Sequence, residues 1–398
     1  MALDTPREIE ILLSCARPQI TRERADTIRK VLQDGVDWEY MFRIAGRHGL
    51  LPLLFDRLNT ICPESVPEAQ LNRLKTYFRA NLARNLFLTG QLLKLLNFFE
   101  DHGIPAVPFR GPVLASLVYG NLSLREFSDL DILIHREDFM KVRSLLLLDG
   151  YVSSPRLSAA QDEALIRSLY DYHFIHTKTG VNIDIHWGFL PKEFASPIDT
   201  DHLWSSSQVV SLSGREIPTL SQEDLFLILC IHGYKHSWGY LRLICDFSGL
   251  IQVHQEMDWE WVTEEAHRFG TDRMLFLGLY LAKTYLDTNL PDVLWQKVQS
   301  DTKAMSLARQ VTGNLFQDGN NSLGIVERSL FYIKSTSDWR DVIRYCFNFA
   351  ILPTPGDYEI LKLPSSLFFL YYLIRPFRLL GKYSLGRLIH SLFGQGFQ

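Results

Sequence analysis

Cysteine is scarce in this chain. The 398 residues hold five, Cys15, Cys62, Cys230, Cys245 and Cys346. They are scattered, odd in number and never spaced as CxxC, which argues against a disulfide framework and against a zinc ribbon. An excess of positive charge is also missing. Lys and Arg total 41 against 45 Asp and Glu, a net charge of −4, so the chain lacks the basic footprint of a nucleic-acid-binding protein. No apolar run reaches membrane-spanning length. The nearest, Leu367 to Ile374, is broken by Arg375, Pro376 and Arg378. There is no internal repeat and no low-complexity tract. The opening MALDTPREIEILL has no apolar signal core, and the cytoplasm is the expected location.

What the chain does have is concentrated between Phe109 and Ile134, FRGPVLASLVYGNLSLREFSDLDILI. It reads as a glycine turn, a helix from Val113 to Tyr119, a polar loop and a strand. Asp129 and Asp131 are two apart in that strand, so both point to one face, while Leu130, Ile132 and Ile134 point to the other. Two adjacent carboxylates repel unless a cation lies between them, and hard oxygen ligands suit Mg²⁺ or Mn²⁺. A third carboxylate is Asp184, on the polar face of Val181–Trp187 with Asn182 and His186. If the two strands pair, three carboxylates converge, as two-ion phosphoryl and nucleotidyl transfer requires. The short Ile104–Phe109 piece, with two prolines, reads as an edge strand. Gly111 between it and the helix allows close approach of a phosphate to backbone. Arg110 and Arg125 are candidate triphosphate contacts because guanidinium matches phosphate geometry; the alternative is ordinary surface charge.

The rest reads as mostly helical. Apolar spacing predicts helices in residues 5–60, with His48 at a helix end before Gly49. A long helix is expected from Glu68 to Asp101, ended by His102-Gly103. Glu137–Leu148 reads as a helix, residues 157–170 as containing a short one, and Tyr172–His176 as a strand joined to the Asp184 strand through Thr177–Gly180. The polar piece Ser196–Pro218 carries strand-like segments, and Ser221 looks like the N-cap of a further helix. In that helix His232 and His236 are i and i+4, a zinc-compatible spacing, but no Glu follows His232 and a metalloprotease reading fails. Helical patterning resumes from Trp259 to Leu315. Asp318–Ser322 is the clearest loop of the second half, and Leu352–Asp357 is another.

Together these stretches resemble the polymerase-beta-like nucleotidyltransferase superfamily and, more narrowly, the bacterial family described as uncharacterised nucleotidyltransferases. The matching residues are Arg110-Gly111, Arg125 through Asp129-Leu130-Asp131, and Ile183-Asp184-Ile185-His186-Trp187. Two positions differ from the family pattern. Arg110 stands where Lys is commoner. Pro112 stands where the superfamily prefers Ser, which removes one N–H and one hydroxyl from the phosphate turn. Lys235, His236, Trp238, Arg242 and Asp246 resemble a motif of the helical domain that follows the catalytic sheet. Lys235 and His236 are therefore candidate nucleotide contacts; the alternative is a helical hairpin with Asp246 capping or pairing with Arg242.

The resemblance implies an α+β fold: a small mixed or antiparallel sheet with helices, between helical regions. The expected parts are an N-terminal helical region at 1–100, a nucleotidyltransferase core at 101–220, a helical domain over the site at 221–350 and basic-aromatic helices at 351–398. It implies transfer of a nucleoside monophosphate from a nucleoside triphosphate to an acceptor hydroxyl. Asp129, Asp131 and Asp184 would hold Mg²⁺ or Mn²⁺. The slight acidity favours a small-molecule or protein acceptor over RNA. A glycosyltransferase Asp-x-Asp would follow an apolar strand, whereas here the apolar run Ile132–Ile134 comes after the pair. The competing reading is a catalytically inactive binding or scaffold protein on the same fold. Residues 363–397, rich in Leu, Phe and Tyr with interleaved Arg and Lys, read either as core-closing helices or as a contact with a membrane surface.

Overall fold

The computed structural model describes residues 6–17, 20–154, 156–166, 168–190, 200–254, 256–317, 324–336 and 338–382. It opens with four helices, α1 (Arg7–Ala16), α2 (Arg22–Gln33), α3 (Trp38–Arg47) and α4 (Leu51–Ile61). Thr21 and Asp37 cap α2 and α3 by accepting the N–H groups of Arg24 and Tyr40, which satisfies donors that a helix start leaves unpaired. His48 ends α3 and is fully buried, as a residue beside the helix terminus.

A turn at Pro63–Ser65 leads into α5 (Glu68–Asp101), the full length that its apolar spacing implies. This helix runs from α4 to the sheet. Two of its polar residues are buried for a purpose. Asn85 Nδ2 donates to the carbonyls of Leu122 (2.6 Å) and Arg125 (2.8 Å), and Asn81 Nδ2 to that of Ser123 (2.9 Å). These bonds supply the partners that the buried carbonyls of the polar loop require.

After α5 come β1 (Ala106–Pro108), α6 (Pro112–Tyr119), β2 (Asp129–Ile134), α7 (Phe139–Leu148), β3 (Tyr151–Ser154), α8 (Ala159–Leu165), β4 (Asp171–His176) and β5 (Asn182–His186). The helix expected from Glu137 starts at Phe139 because Arg136–Asp138 forms a 3₁₀ turn. The five strands make one mixed sheet in the order β1-β2-β5-β4-β3. Only β2 and β5 run parallel; the other pairs are antiparallel. β1 is an edge, as its prolines require. Leu130, Ile132, Ile134, Ile183, Ile185, Tyr172 and Phe174 form one buried face with α5 and α7. The alternate residues of β2, β4 and β5 form the other face, which carries the acids.

A short helix α9 (Thr200–Ser205) and a hairpin of β6 (Gln208–Leu212) and β7 (Arg215–Thr219) follow. Thr219 Oγ1 donates to the Pro108 carbonyl at 2.8 Å and fastens the hairpin to β1. The remaining described residues are mostly helical: α10 (Gln222–Lys235), α11 (Leu241–Val253), α12 (Trp259–Arg268), α13 (Asp272–Leu286), α14 (Asp292–Ser300), α15 (Thr302–Leu315), α16 (Ile325–Ser335), α17 (Trp339–Ile351), α18 (Pro355–Ile360) and α19 (Leu370–Lys382). Ser221 caps α10. The loop expected at 318–322 and the chain beyond Lys382 lie outside the described residues. α11 crosses α6 closely enough that a Cβ on Gly249 would meet Val118 Cγ1 at 2.3 Å. A large apolar cluster unites α1, α3, α4, α10, α11 and α13 and takes in Val107, Phe109 and Leu133 of the sheet region. The architecture is α+β. Among the described residues no helix is long and apolar enough to cross a membrane.

Candidate active site

The parallel pairing of β2 with β5 sets Asp131 directly opposite Asp184, with Asp129 opposite Asn182. On the far side of β5, Asp184 pairs with His173 and His186 with Asp171 of β4. In a sheet, register partners point to the same face. Three acids of two strands therefore share one surface with Asp171, His173 and His186.

Asp131 is the buried centre. Its Oδ1 receives a hydrogen bond from the Arg110 guanidinium and lies 3.2 Å from His186 Nε2. Burial alone would raise this carboxyl, but the Arg110 charge and the His186 contact outweigh burial and hold it well below the usual carboxylate range. Among the described residues no bond falls on Oδ2. Asp129 is half-buried and its carboxylate has no hydrogen-bond partner there. Burial, followed by the negative charge of Asp131, raises its pKa, with Asp184 adding to the effect and Arg110 opposing it. Asp184 Oδ1 lies 2.5 Å from His173 Nδ1. That bond raises the His173 pKa against a smaller opposing effect of burial.

The glycine turn explains the closeness of Arg110 to the acids. Gly111 has φ 58° and ψ −122°, and a Cβ there would lie 3.0 Å from the Asp129 carbonyl oxygen. Only glycine adopts that backbone without strain. Pro112 then occupies the first turn of α6, where its fixed φ suits a helix start. The turn aims Arg110 inward, so its guanidinium spans Asp131 and the His232 ring, whose Nε2 is 2.7 Å from Nη1. His232 must accept there, and so must be neutral. Burial, then the Arg110 charge, lowers its pKa well below the ordinary value.

Arg125 lies elsewhere. Its guanidinium makes a two-pronged bond to Asp246 of α11, Nε to Oδ1 and Nη2 to Oδ2, both at 2.9 Å. Tyr119 Oη donates to Asp246 Oδ1 at 2.9 Å. Asp246 thus pairs with Arg125 and not with Arg242. Lys235, the last residue of α10, donates from Nζ to Tyr170 Oη at 2.6 Å. Burial lowers its pKa, with Asp171 opposing most strongly and Asp131 and Asp184 acting in the same sense as Asp171. Its ammonium therefore senses the acidic face. His236 caps α10, exposed, with its ring centroid 4.6 Å from that of His232.

One oxygen or nitrogen each from Asp131, Asp184 and His186 lie within 4.8 Å of one another, and this is the set that could hold a cation. Its members differ from the expected Asp129, Asp131 and Asp184. Asp129 lies outside the cluster, toward the strand's start, and His186 lies inside it. His186 Nδ1 is buried with no hydrogen-bond partner among the described residues. Two carboxylates, an imidazole and the unpaired Asp129 carboxylate beside them fit a divalent ion that prefers oxygen. The alternation along this strand puts His186 on its polar face but points to no role for it. The alternation that located Asp184 is the signal that also locates His186. His232 lacked such a signal, because its partner Arg110 is 122 residues away.

The family model described as "Uncharacterised nucleotidyltransferase" matches residues 34–287, which take in α3 to α13 and the whole sheet. No curated protein matches the chain. Among solved structures, the lincosamide antibiotic adenylyltransferase LnuA, crystallised with lincomycin bound, is similar at 19% identity and a TM-score of 0.27, over 35% of this chain and 83% of that one. With more than half of its length matched, this chain belongs to the family of uncharacterised nucleotidyltransferases.

Proposed function

We propose that the protein transfers a nucleoside monophosphate from a nucleoside triphosphate to an acceptor hydroxyl and releases pyrophosphate, with Mg²⁺ or Mn²⁺ as cofactor. The observation that carries this reading is Asp131 facing Asp184 across β2 and β5, with Asp129 on the same face. Asp129, Asp131, Asp184 and His186 would hold the cation, which would supply charge neutralisation and alignment of the phosphates.

The chain's own groups account for the rest. Asp184, oriented by His173, takes the proton of the acceptor hydroxyl. The Gly111 turn brings backbone to the phosphates at the start of α6. Arg110 and Lys235 provide positive charge for the triphosphate and the departing pyrophosphate. Arg110 would exchange its bond to Asp131 for bonds to phosphate. Arg125 acts through Asp246 as a positioning residue, and His236 lies at the rim. The modest net negative charge favours a small molecule or a protein as acceptor over RNA.

One observation favours a second reading, a non-catalytic binding protein on this fold: the Arg110 guanidinium already supplies a positive charge to Asp131. Calorimetric titration of the four nucleoside triphosphates with Mg²⁺ separates the two. Metal-dependent binding that disappears in the Asp129→Ala/Asp131→Ala double variant is the expected result. Absence of binding to wild type by all four would overturn the transferase reading and leave the binding protein.

A further inference from the structure

A cavity of about 570 Å³ lies where α1 ends, α2 begins and α11 and α13 end. It sits at the opposite end of α10 from the acids. Its wall residue Trp259 meets Phe226, in the first half of α10, edge-on at 5.5 Å between ring centres, whereas Lys235, which senses the acidic face, ends that helix. The polar part of the wall is positive. Asp287 Oδ2 lies 2.7 Å from Arg24 Nη2 but 3.8 Å from Arg17 Nη1. The first is a charge-assisted hydrogen bond and the second is too long for one. One carboxylate thus stands against two guanidiniums. Arg17 makes no hydrogen bond among the described residues, although its side chain is only 22% exposed and its Nε is buried. Burial, then the Arg24 charge, lowers its pKa against the weaker pull of Asp287. His254 repeats the pattern on the same wall. Its Nε2 is buried without a partner, and burial lowers its pKa with Glu223 opposing, which keeps the ring neutral.

Buried polar groups are ordinarily bonded, and a mostly buried guanidinium without an acceptor is costly. A purely structural ion pair would have brought Arg17 within bonding distance of Asp287, a place that Arg24 has taken. Two unbonded donor groups on one wall, with a positive charge left over, are complementary to an oxyanion. We propose that this cavity binds a small organic anion, a phosphate or carboxylate on an apolar body. The oxyanion lies between Arg17 and Arg24, whose planar forks match either group. His254 adds a hydrogen bond, and Trp259 and Leu290 cover the body. The volume falls in the range of roughly 300–1,000 Å³ common for small-molecule sites. A bare inorganic ion would leave the apolar wall unused.

The test is calorimetric titration of the full chain with phenyl phosphate, with benzoate and, as the uncharged control, with benzyl alcohol. Saturable binding of at least one anion and not of the alcohol is the expected result, and the tighter anion names the class. Arg17→Met is expected to weaken that binding at least ~10-fold, the scale of a lost charge-assisted hydrogen bond. Its Tm without ligand should hold or rise, because Arg17 gives up no hydrogen bond. Asp287→Asn keeps a residue that tolerates the left-handed backbone at φ 58°. It frees Arg24 and is expected to tighten binding by about 2–5-fold, the scale of a partly exposed ion pair. Absence of saturable binding of both anions to wild type overturns the proposal, as does binding that Arg17→Met leaves unchanged. If Arg17→Met melts far below wild type, Asp287→Asn decides, and binding no tighter than wild type overturns the proposal. Nucleotide titration with Mg²⁺ is expected to be the same in both variants as in wild type, so this site and the transferase reading can fail separately.

Discussion

Arg125 and Asp246 meet in a two-pronged buried pair that joins the loop before β2 to helix α11. The pair is 12% and 2% exposed, and Tyr119 adds a third bond to the same carboxylate. Removing one member leaves an uncompensated charge in the interior. Asp246→Ala is expected to destabilise the protein by about 3–5 kcal/mol. Tyr119→Phe, which removes one neutral donor, is expected to cost about 1 kcal/mol. Urea unfolding of the two variants checks the ranking; equal losses would mean that the pair is not buried as described.

Asp184 is half-buried and its hydrogen-bond partner, His173, also faces solvent. Asp184→Asn is therefore expected to leave the unfolding midpoint nearly unchanged while lowering turnover on the order of 10²–10⁴-fold, the range for losing a general base. Asp131→Asn should reduce both, since it also leaves the Arg110 guanidinium without its counter-charge. Single-turnover rates beside melting curves distinguish them.

Gly111 and Gly120 flank α6 and both have positive φ. Only Gly111 has backbone against the place a Cβ would take. Gly111→Ala is expected to cost about 1–3 kcal/mol and to shift Asp129. Gly120→Ala, with open space around it, should cost about 1 kcal/mol and leave nucleotide binding intact. Calorimetry with nucleotide and Mg²⁺ on both variants reads the difference.

Stability should fall as pH drops below neutrality because of His48. This ring is fully buried, and its Nδ1 accepts the Leu241 N–H at 3.0 Å, tying the N-terminal helices to α11. Burial first, then the Arg47 and Arg242 charges, pull its pKa down to about 4, with a backbone bond to Leu315 opposing. The folded value lies below the unfolded one of about 6.5. The unfolded chain therefore binds the proton first, so the contribution is complete above about pH 6.5 and is lost as pH falls toward about 4, by about 3 kcal/mol. His48→Gln should flatten that part of the profile. An unchanged slope in the variant would assign the pH dependence to other groups.

Much of the local structure was legible in the residues. Period-two alternation put Asp129 with Asp131 and Asp184 with His186, and period-3.6 spacing fixed α5 to its ends, because both patterns depend only on near neighbours. What was not legible depends on distant ones. Nothing beside Arg125 announces Asp246, 121 residues on. Nothing beside Arg110 announces that a guanidinium, and not open space, meets Asp131. The choice of Arg125 over Arg242 as the ion-pair partner of Asp246 is likewise decided by how α11 lies on α6, where Gly249 admits Val118. The parallel sense of β2 and β5 could not be read either, since each strand alone is compatible with both directions.

That parallel sense has a consequence in time. Strands that run the same way cannot be joined by a tight turn, and here α7, β3, α8 and β4 all lie between them. His186 and Asp131 are separated by 55 residues, a long loop to close before any contact rewards it. During synthesis the acids of β2 emerge well before their partners on β5. The acidic face is thus absent from any nascent chain that stops short of β5.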